Sequence, residues 1–501
     1  MAKNNNLQDF LKGIADTIRE ENGSTELINP QDFESKITEI ADKFRKFVEG
    51  TLTEIKASDL KGVTSIPDLA FHSKSLLKSV VLPDSVKEIG MHAFGGCTAL
   101  ETVVLPPEAF DPDYTLFYDA ISYEACQNIK NLTAPADIVY NNSFPKIVNV
   151  VVNSGTIIDD NFLSESITLE SVVLPNSIES IGETPFYNCS NLSSIIIEDG
   201  NEYYRSSGNC IIDIVNKVLL QGCNASVIPD DNSIVSIKER AFLGMKNLPN
   251  ANIPNGVVDI GNRAFYNCSG MLSLSIPDTV ETIGEEAFYN CKGLSSITVE
   301  DGNTVYHSYG NCLIETQSKT LLLGCKNSVL PDDDSVTSIG AYAFGGCSGL
   351  TSISIPNSVI SIGGNAFVNC TGLTSISIPN SVISIDGGAF SMCGLTSISI
   401  PSSVTSIGGS AFYYCKNLTS VIYEGQPVMS TGIYSYCTKV AKYDFRNATS
   451  VPTLSHQSHL GHATGCKIIV PDALYASWKS ATNWSALTGV TWVKASEYTE
   501  E

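Results

Sequence analysis

The chain has 501 residues, of which 43% are hydrophobic and 17% charged, and a formal charge of −23. This composition can build a core, excludes a disordered polar chain, and has the wrong sign for holding a phosphate backbone, so nucleic acid is not an expected partner. No stretch approaches the roughly 18 consecutive apolar residues of a membrane span, so membrane insertion is not expected, and Met1-Ala2-Lys3-Asn4-Asn5-Asn6 leads on without an apolar export segment.

Residues 1–50 read as a helical hairpin. Leu7, Phe10, Leu11, Ile14 and Ile18 share one helical face. Asn29-Pro30 then supplies the N-cap and first residue of a second helix, in which Phe33, Ile37, Ile40, Phe44 and Phe47 step by four and three. This short heptad seam predicts either a cap on the following domain or a docking and oligomerisation module, with a homotrimer as one assembly.

Residues 51–425 are built from a repeat. Its period is clearest at Phe344, Phe367, Phe390 and Phe412, at Cys347, Cys370, Cys393 and Cys415, and at Pro356, Pro379 and Pro401, with a step of 23 residues once shortened to 22. Each unit reads approximately L-T-S-I-S-I-P-x-S-V-x-S-I-G-x-x-A-F-x-x-C, a length in the leucine-rich-repeat range. Ile353, Ile355, Ile376 and Ile378 alternate with Ser352, Ser354, Ser375 and Ser377, the pattern of a strand with one face buried. Proline ends the strand, Ile-Gly turns the chain, and Ala-Phe-x-x-Cys forms the opposite wall. One coil cannot bury its apolar face alone, so coils must stack. The fold class expected is an α/β repeat solenoid: a right-handed superhelix with short parallel strands, preceded by the helical hairpin. The fifteen cysteines sit mostly at one fixed place in the repeat, which predicts buried, unpaired thiols.

Two units carry matching insertions, from Glu198-Asp199-Gly200-Asn201 to Gly222-Cys223 and from Glu300-Asp301-Gly302-Asn303 to Gly324-Cys325, 102 residues apart. Each reads as a β-hairpin. Between Pro107 and Val173 the pattern fades, and the number of coils there is left open. Residues 426–501 are expected to cap the array, since an exposed terminal strand invites edge-to-edge pairing.

No Ser-His-Asp order, phosphate loop or H-E-x-x-H motif is present, so no catalytic residue and no cofactor is expected. The one metal-like cluster is His456, His459 and His462 with Cys466, which a polar loop also explains. Acidic Asp230-Asp231 and Asp332-Asp333-Asp334 read as solvated turns. For binding, the outward hydroxyls of Ser352, Ser354, Ser375, Ser377, Ser397 and Ser399 form ladders, with Tyr413, Tyr414, Tyr423, Tyr434 and Tyr436 nearby. Tyrosine joins a rigid apolar ring to a polar tip, which suits sugar rings or protein contacts.

The A-F-x-x-C and I-P-x-S-V-x-S-I-G motifs resemble the BspA-type leucine-rich-repeat family over about residues 60 to 425, a family of surface adhesins and of proteins of gut bacteria and their phages. Leu7-Gln8-Asp9-Phe10-Leu11 and Leu27-Ile28-Asn29-Pro30-Gln31-Asp32-Phe33 resemble the amino-terminal module of phage tail and minor structural proteins. Lys467-Ile468-Ile469-Val470-Pro471-Asp472 and Asn483-Trp484 resemble a segment that closes such repeat proteins in phages. Together these resemblances imply a non-enzymatic virion structural protein, a tail or head fibre or appendage. It would join other virion proteins through its amino-terminal helices and present the repeat surface to a host polysaccharide or protein. The alternatives are a BspA-type adhesin at the bacterial cell surface and a polysaccharide-cleaving tail protein.

Overall fold

Short strands recur once per coil and pair in parallel with those of the next coil, in a computed structural model that describes residues 42, 43, 45–108, 127–139 and 144–499. The expected helical hairpin, with Phe33, Ile37, Ile40 and Phe44, lies outside the described residues. Of that seam only Phe47 is placed: its ring meets Phe71 of an early coil edge-on at 5.8 Å, beneath the Lys74 ammonium.

Packing divides the chain into two units, Met1–Val227 and Ile228–Glu501. In the first, Glu54–Ile55, Ser79–Val81, Thr102–Val104, Asn131–Ala134, Asn149–Val152, Ser171–Leu174 and Ser194–Ile197 form one parallel sheet in chain order. Two of these strands, Asn131–Ala134 and Asn149–Val152, fill the stretch where the repeat fades. Their coils keep the ladder although the spacing drops to 18 residues, because Val150 and Leu132 still point inward and Asn149 Nδ2 donates to Asn131 Oδ1 at 2.8 Å. The core needs the alternation and tolerates loss of the Phe and Cys markers, while Pro135 still follows the first of these strands and Asn153 takes the proline's place after the second.

The second unit repeats the plan. Ser397–Ile400, Ser420–Tyr423, Lys442–Asp444, Cys466–Val470 and Val490–Lys494 pair in parallel on one wall, so the coils run on past residue 425. A second wall stacks Ser338–Ile339, Ser361–Ile362, Ser384–Ile385 and Ser406–Ile407. The last coils are closed by Trp478 and Trp484, both fully buried, whose rings lie 4.6 Å apart against Phe445. This is a parallel β-solenoid of leucine-rich repeats.

The third wall departs from the α/β expectation, because it consists of turns and not helices. In each coil the residue before the cysteine takes a left-handed backbone, as at Asn267, Asn290 and Asn369 (φ 61–62°), and a helix cannot continue through it. The insertions also differ from the hairpin reading. Each is a three-stranded antiparallel meander, Tyr204–Ser207, Cys210–Asp213 and Val218–Gln221 in the first unit, and Tyr306–Tyr309, Cys312–Glu315 and Thr320–Leu323 in the second.

The turn wall is held by two columns. Phe344, Phe367, Phe390, Phe412 and Tyr434 stack nearly face to face, with centroids 5.0, 5.2, 5.4 and 5.3 Å apart. Beside them, Cys370, Cys393, Cys415 and Cys437 each donate an S–H to the carbonyl of the aromatic residue one coil back, Phe344, Phe367, Phe390 and Phe412, at 3.0–3.1 Å. A thiol is small enough for this column and satisfies a buried carbonyl, which explains its recurrence. The described cysteines are unpaired. Cys347 alone among them is only half-buried, because it follows the meander and reaches Gly324 O at 3.6 Å.

Candidate functional site

The five tyrosines expected at the surface separate into two groups. Tyr423 and Tyr434 are core residues, 1% and 0% exposed. Tyr423 sits in register with the inward Ile400, and Tyr434 continues the phenylalanine column. Their hydroxyls share a hydrogen bond of 2.9 Å, and Tyr423 also donates to Val428 O at 3.2 Å. Neither can touch a ligand, which corrects the sequence reading.

Tyr413, Tyr414 and Tyr436 are on the turn wall and do form a cluster. Tyr413 and Tyr414 lie 6.0 Å apart, and Tyr436 meets them at 5.3 and 6.3 Å with its ring steeply inclined to both. Tyr436 is 61% exposed and Tyr414 37%. The Lys416 ammonium lies 4.2 Å from the Tyr414 ring centroid, a cation over an electron-rich face.

Two of these tyrosines occupy a costly position. The backbone runs Asn369, Met392, Tyr414, Tyr436 from coil to coil, since Asn369 N–H donates to Ser391 O, Met392 N–H to Tyr413 O and Tyr414 N–H to Ser435 O. Asn188, Asn267, Asn290 and Asn369, or Gly96, Gly244 and Gly346, fill this left-handed position in most coils. Asparagine and glycine accept it readily; a bulky side chain does so against a penalty of roughly 1 kcal/mol or more. Tyr414 and Tyr436 adopt φ of 58° and 63° all the same, and nothing in the core requires their rings. Sequence reasoning missed Met392, the exposed neighbour in this column.

Ser352, Ser354, Ser375, Ser377 and Ser397 are exposed, and Ser399 is half-buried with its hydroxyl donating to Glu424 at 2.7 Å. Ser354 pairs with Ser377 across neighbouring coils. These hydroxyls lie in the first strand of the coil, whereas the tyrosines lie in its turns, so the two belong to different walls and not to one adjoining surface. The row also stops: Ser399 is followed across the ladder by Ile422 and Asp444.

The histidine cluster does not assemble. His456 Nδ1 bonds Ser458 Oγ at 2.7 Å, His459 Nδ1 bonds Ser455 Oγ at 2.9 Å, His462 Nδ1 bonds Ala463 O at 3.0 Å, and Cys466 is buried in its strand. Among the described residues no three His, Cys, Asp or Glu side chains gather where they could hold a metal ion.

The family described as "BspA type Leucine rich repeat region" matches residues 38–148, 64–192, 213–333 and 337–459. The chain belongs to this family. The BspA-type repeat thus covers both units and extends beyond residue 425. No curated protein matches the chain. Among solved structures it is similar to a leucine-rich repeat protein from Eubacterium ventriosum, with 20% identity over 78% of this chain and 89% of the other and a TM-score of 0.40. The pneumococcal vaccine antigen PcpA is 16% identical over 89% and 85%, with a TM-score of 0.41. A leucine rich cell surface protein from Faecalibacterium prausnitzii is 21% identical over 69% and 87%, with a TM-score of 0.35.

Proposed function

We propose that this BspA-type protein is a non-enzymatic adhesin displayed at a bacterial cell surface, and that it attaches to a repetitive surface polysaccharide through Tyr413, Tyr414 and Tyr436. The observation that carries this reading is the placement of Tyr414 and Tyr436 in left-handed backbone, a position that asparagine or glycine fills in most other coils and that Ser73, Glu165 and Met392 fill in the rest. Strain kept without a packing return points to selection for the exposed rings. Short-range contact suits the target, because few charges surround these rings and each coil can add a weak contact to the last.

The test is Tyr414→Asn combined with Tyr436→Asn, which installs the residue the repeat itself prefers there. Cell attachment should fall at least about tenfold, the weight of roughly 1.4 kcal/mol of lost ring contact. The thermal midpoint should hold or rise by a few degrees as strain is relieved. Attachment at the wild-type level, or a fall in midpoint, would make these tyrosines structural.

The amino-terminal sequence favours a second reading, a virion appendage docked through residues 7–44 with the same wall facing the host. Deleting residues 1–44, which spares the Phe47–Phe71 contact, separates the two. A docking module predicts a folded protein that no longer enters particles, and normal incorporation would end this reading.

A further inference from the structure

We propose that Tyr266, Tyr289 and Tyr342 form a second glycan subsite on the turn wall of the second unit, and that one extended, neutral polysaccharide chain crosses it and the Tyr413–Tyr414–Tyr436 cluster together. This rests on the attachment reading above and adds to it the site, the ligand class and a length requirement.

Tyr266 and Tyr289 stack at 4.9 Å, and Tyr342 meets Tyr289 edge-on at 5.4 Å. Although 53 residues separate Tyr289 from Tyr342 in sequence, the meander between them loops out and their coils become neighbours, joined by Asn290 N–H to Gly345 O at 3.1 Å. Gly345 is required at this junction: a Cβ there would lie 2.6 Å from the Tyr289 ring. All three rings are half-exposed. Polar groups border them. Arg263 pairs with Glu286, and its guanidinium lies 5.9 Å from the Tyr266 centroid. Burial first, and then the neighbouring Glu286 carboxylate, raise the Tyr342 phenol above its ordinary range, and Asn369 Nδ2 donates to Tyr289 OH at 3.4 Å.

A guanidinium beside a carboxylate presents a donor and an acceptor together, the complement of neighbouring hydroxyls on a sugar ring. Phenol edges and hydroxyls flank that pair. Because the pair is internally neutral and the chain carries −23, a polyanion gains nothing at the site and is repelled at long range. The ligand class is therefore a neutral pyranose polymer.

The geometry also links the two clusters. From the Tyr342 coil the turn wall passes through Tyr342 N–H to Gly364 O, Asn365 N–H to Gly387 O and Gly388 N–H to Gly409 O, reaching the Tyr413 coil in three steps, about 14 Å at ordinary strand spacing. Each coil advances by close to the length of one sugar in an extended pyranose chain, so a single polymer can lie along the wall and meet both clusters. Contacts made by one chain at two places reinforce each other through effective concentration.

The experiment is calorimetric titration of the full chain with β-linked gluco-, xylo- and manno-oligosaccharides from disaccharide to octasaccharide, with a polyuronate as the charged control. Two double variants are compared: Tyr266→Val with Tyr342→Asn, the residues the repeat uses at Val368 and Asn365, and Tyr414→Asn with Tyr436→Asn. An octasaccharide of at least one series should bind about tenfold or more tightly than its trisaccharide, and either double variant should remove that gain while leaving the unfolding midpoint at or slightly above the wild-type value. If the gain survives loss of Tyr266 and Tyr342 but not loss of Tyr414 and Tyr436, the second subsite is wrong and the attachment reading stands. The converse result removes the Tyr413 cluster from the site. Tighter binding of the polyuronate, affinity independent of length, or no binding in any series each overturns the proposal, and the last removes the polysaccharide from the attachment reading as well.

Discussion

Between pH 9 and 11 this protein should lose its fold over a narrow range, with thiolate absorbance and loss of the β-sheet circular-dichroism signal rising together. Burial raises the thiols of Cys97, Cys189, Cys210, Cys223, Cys268, Cys291, Cys312, Cys347, Cys370, Cys393 and Cys466 above the ordinary 9.0. Cys437 is raised as well, the adjacent Cys415 thiol first and burial second acting in the same direction. Cys97 and Cys312 are pushed up to about 11, and Cys189, Cys210, Cys347 and Cys466 to about 12. In the unfolded chain each ionises near 9.0, so above that pH the unfolded state binds fewer protons and stability falls as pH rises. The stabilisation is complete below pH 9 and is lost as pH climbs through the folded values. Each thiol removes about 1.4 kcal/mol per pH unit in that window. Six acting together match the whole stability of an ordinary domain, roughly 5–15 kcal/mol, within one to two pH units. A far-ultraviolet spectrum unchanged at pH 11 would contradict the buried thiol column.

The second large effect is expected at the aromatic column. Phe367 is fully buried between Phe344 and Phe390, 5.0 and 5.2 Å away and nearly parallel to both. Phe367→Ala removes two ring contacts and leaves a cavity in a wall that neighbouring coils cannot collapse, since hydrogen bonds between coils fix their spacing. A loss of about 3–5 kcal/mol follows. A solenoid is held by nearest-neighbour interfaces, so the damage should be local, with limited proteolysis cutting the turns around residue 367 before those of the first unit. A urea midpoint displaced by less than the equivalent of about 1 kcal/mol would mean that the stack is incidental to stability.

These columns were legible in the sequence because Phe and Cys recur in step with the coil, and a period is a statement about neighbours in space. The same register could have placed two of the tyrosines. Tyr434 follows Phe412 by 22 residues and falls in the aromatic column, and Tyr423 replaces the inward Ile400 at the end of a strand. Read for residue type, they look like surface tyrosines; read for register, they are core. The left-handed column was available in the same way, as Asn or Gly before cysteine giving way to Met392, Tyr414 and Tyr436.

Alternation and period act through local geometry that every unit repeats, and they set the coil, its parallel ladder and its thiol and phenylalanine columns. Which coils touch across the second meander was settled by tertiary packing alone. A three-stranded insertion changes chain separation without changing the stacking order, so Tyr289 meets Tyr342 and Asn290 meets Gly345 although no period connects them. Tertiary packing also decided that the serine ladder and the tyrosine cluster occupy different walls, since the bends between strand and turn separate residues that a linear reading places side by side.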